Sequence, residues 1–468
     1  MNRLVRFAIF FMLAAPLAGC SLAPRYERPA SPVGEAWTEP AATADASARQ
    51  AADMAWREFF TNPTLQRLIA DAIDNNRDLR VAALNMERAA AQYRIQRADR
   101  LPTVGIDGAH ASQRVAEDLS SRGESYVGRQ YTASLGFTGF ELDFFGRVKS
   151  LTDAALEQYL ATEEAHRSAR LSLVSQVAMA WLQLLTDREQ LRLSQETLAS
   201  QRATYDMIRR RFEQGVASEL TLWQAQTSVD TARTDIARYS GLVAEDVNAL
   251  SVLVGRPVKP EEIPEYALDG ATDFPDIPVG LPSEVLLKRP DILQQEHLLR
   301  AANANIGAAR ANFFPSITLT TSLGRGSTEL HDLFGGSNGT WLFSPSLYLP
   351  IFDTGRNIAN LRVSEADKKI AVANYEKAIQ EAFREVADAL TLRRTLDDQL
   401  EASQSLVKAT SEAYRLSDAR YRSGVDSYLE VLDSQRAMYA AQQSCVNVRQ
   451  ARDANLVGLY KALGGGWK

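Results

Sequence analysis

The chain has 468 residues, 45% of them apolar and 24% charged, which are ordinary globular proportions with material for a sizeable core. A formal charge of −6 and the lack of any basic run exclude nucleic acid as a partner. The four histidines (His110, His166, His297 and His331) stand at no metal-ligand spacing, and there is neither a phosphate loop nor a nucleophile–base–acid grouping, so no cofactor and no enzyme activity are expected.

The first expected segment is a signal peptide over residues 1–19. MNRLVR carries two arginines, FAIFFMLAAP is an apolar stretch too short to span a bilayer, and LAGC follows. Leu17-Ala18-Gly19-Cys20 resembles a bacterial lipobox, which makes Cys20 the acylated first residue of the mature chain and the start of an extended linker over 20–61. Two or more acyl chains hold a protein on a membrane stably, and a serine rather than an aspartate at position 21 points to the outer membrane. With Cys20 acylated, Cys445 stands alone in a helical pattern, so no intrachain disulfide is expected.

The rest of the chain repeats itself. RFEQGVASELTLWQAQ (211–226) aligns with RYRSGVDSYLEVLDSQ (420–435), and FFGR (144–147) with DTGR (353–356), both at an offset of 209. NRDL and LPTV align with RPDI and FPSI at an offset of 213. The period is that of a duplicated half-protein, far beyond a solenoid unit. The halves are residues 62–254 and 283–463, joined by a proline-rich stretch at 255–282 that reads as a linker in an equatorial region; 464–468 is a tail.

Each half has the same order. A helical segment (about 63–100, then 291–312) ends at a proline. Two alternating stretches follow, at about 102–142 and about 315–352, with the period-two pattern of strands that have unlike faces. Next comes a segment free of Gly and Pro, 147–214 and 356–423, each of 68 residues; a helix of that length is a rod of roughly 100 Å. After a turn at Gly215 or Gly424 a shorter helix returns, making helical hairpins over 147–254 and 356–463. Leu171, Val174, Ala178, Trp181 and Leu185, and then Ile379, Phe383, Val386 and Leu390, step by threes and fours, the spacing of helix packed on helix.

No stretch of the mature chain is apolar enough for a spanning helix, yet the four strands have the length a tilted transmembrane strand needs. Lipid does not tolerate open strand edges, so the sheet must close, and closure takes about eight strands at least. Several chains must share one barrel: two would supply eight strands and three would supply twelve. Aromatic residues near the strand ends (Tyr131, Phe140, Trp341, Phe343, Tyr348) fit a membrane interface.

A lipobox, two halves, strand pairs ending in FFGR and FDTGR, and long helices returning at FEQGVAS and YRSGVDS together resemble the TolC-type outer membrane factors. The nearest branch is that of the OprM-like (NodT-type) lipoproteins, and the resemblance covers essentially the whole mature chain. It implies a mainly α, mixed fold: a homotrimer with a twelve-stranded outer membrane β-barrel continuous with a long periplasmic α-helical barrel. It also implies a passive exit duct for small toxic molecules that docks on a periplasmic adaptor protein and an inner-membrane RND transporter. Protein export by a type I system and metal efflux are the alternatives, with a pore-free lipid-anchored structural protein behind them.

In the same resemblance, positions matching Arg420 and Tyr421 tether the inner hairpin, and positions matching Leu429 and Asp433 form a periplasmic constriction, with Glu430 as a further acid. Three chains around one axis repeat each residue in a ring, and rings of carboxylates select cations while apolar rings exclude water. Ser427 and Glu430 also fit a helix capping box, which competes with a gating role for Glu430. Gly215, Val216, Ala217 and Ser218, with Gly424, Val425, Asp426 and Ser427, are the expected adaptor-contacting tips. Gly146, Arg147, Gly355 and Arg356 are the strand-to-helix turns. Thr221 stands where the family usually places the acid that pairs with the arginine, so Arg420 is expected to turn to Glu219 or Asp206.

Overall fold

A computed structural model describes residues 21–34, 54–121, 123–263, 274–275 and 283–465. Cys20, the signal segment and most of the 255–282 linker lie outside the described residues. The helices are α1 (Trp56–Phe59), α2 (Pro63–Asn75), α3 (Arg77–Ala98), α4 (Arg147–Glu213), α5 (Glu219–Val254), α6 (Pro290–Ala311), α7 (Arg356–Arg422) and α8 (Tyr428–Ala462). The strands are β1 (Gly105–Val115), β2 (Tyr126–Leu142), β3 (Ser316–Ser327) and β4 (Gly339–Tyr348). The chain divides into two units: residues up to Ala30 with Asn85–Glu163 and Gln294–Tyr375, and Ser31–Leu84 with Glu164–Leu293 and Glu376–Lys468.

In the first unit the four strands form one antiparallel sheet in the order β1-β2-β3-β4. Cross-strand partners share a face, so the register sorts the side chains into two sets. One face carries Ile106 opposite Leu135, Leu135 opposite Leu323, Leu323 opposite Trp341, then Phe343, Pro345 and Leu347 opposite Thr321, Leu319 and Ile317. The other carries Asp107, Ser134, Ser322, Thr320, Thr318, Ser344 and Ser346, with Leu342 and Val115 among its apolar exceptions. Tyr348 pairs with Ser316 on this polar face, so it does not belong with the aromatics of the apolar face.

A bulge in β2 keeps the apolar face continuous. Phe137 pairs with Thr321 and Phe140 with Leu319, so two residues of β2 oppose Thr320 alone, one more than a regular ladder has. Gly139 takes the left-handed conformation there (φ 68°) and its N–H donates to Thr320 Oγ1 at 3.0 Å. Both rings thereby project from the apolar side, in edge-to-face contact at 6.0 Å.

Neither face covers a core. Trp341 is 77% exposed and Leu323 70%, and β1 and β4 have no outer neighbour among the described residues. A sheet apolar on one face, polar on the other and open at both edges is one that further strands must complete.

The same unit holds residues 22–28 against α6. Ala23 lies against Gly307, where a Cβ would come within 2.7 Å of the Ala23 nitrogen. Arg310 donates to the Leu22 carbonyl at 3.2 Å, Asn303 to that of Pro24 at 2.7 Å, and Arg28 makes two bonds to the buried Glu296. Small residues on α6 thus make room for an extended strap, and polar ones hold its backbone.

The second unit is helical, with an aromatic centre. Phe59 stacks on Tyr460 at 4.1 Å, Phe60 meets both edge-on, and the Tyr460 hydroxyl donates to the Met54 carbonyl. Burying such a side chain contributes roughly 1.5–3 kcal/mol. On α4 the whole 3–4 seam (Leu171, Val174, Ala178, Trp181, Leu185) is buried, whereas on α7 Ile379 and Val386 are buried and Phe383 and Leu390 only half-buried.

The segment expected as one helix from 63 to 100 is broken at Asn76. Its side chain accepts from Leu79 N–H at 2.9 Å, capping α3, and donates to the Leu253 carbonyl at 2.9 Å. α2 has its own start: Asn62 caps Thr64 and Leu65, with Pro63 at the first helical position.

Candidate gate at the helical tips

The two hairpin tips are built alike. Gly215 (φ 74°) donates to the Phe212 carbonyl and Val216 to that of Arg211; Gly424 (φ 76°) donates to Tyr421 and Val425 to Arg420. These are Schellman closures, which need a left-handed residue after the helix and explain a glycine at each tip. The returning helices start differently. Ser218 caps α5 through Thr221 N–H at 3.1 Å, whereas the Ser427 side chain makes no capping bond to α8. The capping box expected of Ser427 and Glu430 is therefore not formed, and Glu430 is left on the surface.

The first turns of α8 have two faces. Tyr428, Val431, Leu432 and Gln435 are buried at helical spacing, and Tyr428, Val431 and Leu432 cluster with Ile208, Ala225 and Tyr421. Leu429, Glu430 and Asp433 project from the opposite side, all exposed, as neighbours at spacings of three and four. The packed face fixes which way the acids point.

Burial pushes the Tyr428 hydroxyl up to about 12, and this hydroxyl has no hydrogen-bond partner among the described residues. Its polarity therefore gains nothing in the folded chain. Tyr428→Phe is expected to be neutral or to stabilise by about 1 kcal/mol, read as an unchanged or raised melting temperature. A clear loss of stability would mean that the hydroxyl is bonded after all.

Arg420 does not reach Glu219 or Asp206. It is bound twice by Asp426 within its own tip, at 2.6 and 2.9 Å, and the guanidinium beside Asp426 holds that carboxyl below the usual range. The turn itself brings them together, since Val425 folds back onto the Arg420 carbonyl. Glu219 instead accepts from the Trp223 ring nitrogen at 3.3 Å, and the Thr221 hydroxyl lies 2.9 Å from that of Ser218. Tyr421 is buried beside Tyr428, with ring centroids 5.7 Å apart. Val216 and Val425 stand out from the tips, 74% and 63% exposed. Neither Asp426 as the partner of Arg420 nor the packing of Tyr428 was read from the sequence. A turn glycine between Arg420 and Asp426 was the available signal.

At the strand-to-helix turns Gly146 (φ 72°) and Gly355 (φ 86°) are left-handed, and so is Thr354 (φ 61°). Asp143 caps Lys149 N–H at 2.7 Å and Asp353 caps Asn357 N–H at 2.8 Å. Arg147 binds Glu141 with two bonds, while Arg356 is exposed. These contacts set where each rod leaves its strand.

Comparison with known proteins decides what such a chain is. The family model described as outer membrane efflux protein matches residues 68–256 and 281–465. The chain belongs to the outer membrane efflux protein family. The two matched stretches are the two halves of the repeat. The antibiotic efflux pump outer membrane protein ArpC and the toluene efflux pump outer membrane protein TtgC, both of Pseudomonas putida, are each 48% identical over 456 residues, covering 96% of this chain and 93% of theirs. The open state of the outer membrane channel MtrE of Neisseria gonorrhoeae superposes with a TM-score of 0.86 at 39% identity, covering 96% of this chain and 99% of that one. As an outer membrane efflux protein the chain is a channel, not an enzyme, in the outer membrane of a Gram-negative bacterium. Its fold is mainly α: a homotrimeric β-barrel to which each chain gives four strands, continuous with a periplasmic α-helical barrel. The open, two-faced sheet is the part of that barrel that one chain can build.

Proposed function

We propose that the chain is the passive exit duct of a tripartite RND-type efflux pump, anchored by acylated Cys20 and gated at the periplasmic tip by Leu429, Glu430 and Asp433. The observation that carries this reading is the two-faced start of α8, whose packed side leaves these three residues to face outward together. Around a three-fold axis each becomes a ring: Leu429 a dewetting constriction, and Glu430 and Asp433 a cation-selecting entrance. The paired glycine tips, with Val216 and Val425 projecting, are the surface for a periplasmic adaptor, whose partner in turn is the inner-membrane transporter. The relatives named for antibiotic and toluene pumps support small molecules as cargo; energy comes from the transporter. Lipid on Cys20 fits the strap just after it, whose Leu22 and Pro24 carbonyls are held along α6.

Co-expression with an adaptor and RND transporter, in cells deleted for their own outer membrane duct, tests the reading. Restored resistance to antibiotics or toluene is expected, and none when the tip carries bulky substitutions at both Gly215 and Gly424. Restored secretion of a type I protein substrate, without drug resistance, would overturn the small-molecule assignment.

A further inference from the structure

The gate just proposed needs something to hold it, and the two halves of the repeat divide that work unequally. Arg211 and Arg420 occupy matching positions, as do Ala217 and Asp426, all at the offset of 209. Because the second tip has an acid at this place, Arg420 is bound into its own turn by Asp426. The first tip has only Ala217 there, and no carboxylate pairs with Arg211 among the described residues. The Arg211 guanidinium goes elsewhere: it lies over the ring of Tyr421 at 5.0 Å, crossing from the first hairpin to the second.

Tyr421 is a firm platform for it. The ring is 8% exposed, set in the cluster with Ile208, Ala225, Tyr428, Val431 and Leu432. A cation within about 6 Å of a ring centroid is attracted by the ring face, the more so as the contact loses water, and here the ring is buried and the guanidinium half-buried. Any movement of the α7–α8 tip away from the α4–α5 hairpin must separate the two.

We propose that Arg211 is the latch of this channel: its stacking on the Tyr421 ring ties the first hairpin to the second and holds the tip closed, while Arg420 and Asp426 only shape their own turn. The latch acts on the ring of Tyr421 and not on its hydroxyl. The assignment rests on the tip being the gate, and the test separates the two claims.

The purified full-length protein in planar lipid bilayers is compared across a short series, with thermal stability and trimer content measured for each variant. Arg211→Gln and Tyr421→Leu are expected to raise mean conductance about fivefold, the worth of one such contact per chain. Combining them adds little, since both remove the same contact. Arg211→Lys and Tyr421→Phe keep a cation and a ring, and recover most of the closure. Arg209→Gln removes the same charge from an exposed pair with Glu213 and leaves conductance unchanged. If Asp433→Ala alters conductance but Arg211→Gln does not, the latch is wrong and the gate stands. If Tyr421→Phe opens the channel as far as Tyr421→Leu, the hydroxyl is the tether and the proposal fails. If neither Asp433→Ala nor Arg211→Gln changes anything in intact trimers, both claims fall.

Discussion

Gly136→Ala is expected to abolish the heat-resistant trimer and leave the chain outside the membrane. Gly136 lies inside β2, paired with Gly105 on one side and Ser322 on the other. A Cβ there would sit 2.1 Å from the Thr321 carbonyl oxygen and 2.6 Å from the Ser322 Cα. Both are backbone atoms of β3, so no side chain can swing away, and relief requires parting β2 from β3. Gly324 meets the same obstacle in reverse, 2.3 Å from the Ala133 carbonyl oxygen. Both glycines project from the polar face, so that face has no room for side chains at these two crossings. The cost of forcing backbone apart is more than about 4 kcal/mol, enough to prevent closure of a barrel that tolerates no gap. Gly105→Ala is the control, since nothing lies within 4 Å of a Cβ there. Gel mobility before and after boiling reads the result, and a Gly136→Ala trimer as stable as the native one would refute the close approach of β2 and β3.

The second large effect lies at Glu296. Its carboxylate is buried on α6 and accepts from Arg28 at 2.7 and 3.2 Å, from Arg300 at 2.6 Å and from the Tyr26 hydroxyl at 3.1 Å. Glu296→Leu deprives the strap of the carboxylate that holds Arg28 and Tyr26. Arg28 and Arg300 are partly exposed and regain water, so the loss is about 2–3 kcal/mol rather than that of a fully buried pair. Limited trypsin digestion reads it directly, as faster cleavage after Arg25, since Pro29 protects the bond after Arg28.

The same site sets an acid limit. Burial pushes the Glu296 carboxyl up, but the bonds from Arg28 and Arg300 outweigh it and hold the folded value below the ordinary one. A group depressed in this way contributes fully above its unfolded value and loses that contribution as pH falls through the folded one. Strap protection is therefore expected to be flat through neutral pH and to fail only in acid below the ordinary glutamate range. Glu296→Gln should remove this acid dependence, and an unchanged pH profile in that variant would assign it to another group.

What could be read from the chain beforehand was whatever is local. Two long stretches without Gly or Pro became α4 and α7, the positive-φ glycines of the tips announced their turns, and alternation marked the strands. The break at Asn76 was not legible because half of its cause lies at Leu253, far along the chain. The β2 bulge needed the register of β3 to become visible. At the gate, spacing placed Leu429, Glu430 and Asp433 on one side of a helix. It could not say that Ser427 would leave its cap unmade, or that a turn would return Asp426 to Arg420. Helix spacing governs side chains on one helix, and both of these depend on chain that has left it.

The central claim is a duct closed at the tip of the second hairpin, and conductance tests it most directly. Single channels of the purified trimer, native and Asp433→Ala, are recorded in planar bilayers under a salt gradient. The account predicts a small, cation-preferring conductance in the native protein, with Asp433→Ala conducting more and preferring cations less. A large native conductance that Asp433→Ala leaves unchanged in size and selectivity would contradict it, as would silence from both in bilayers shown to hold intact trimers.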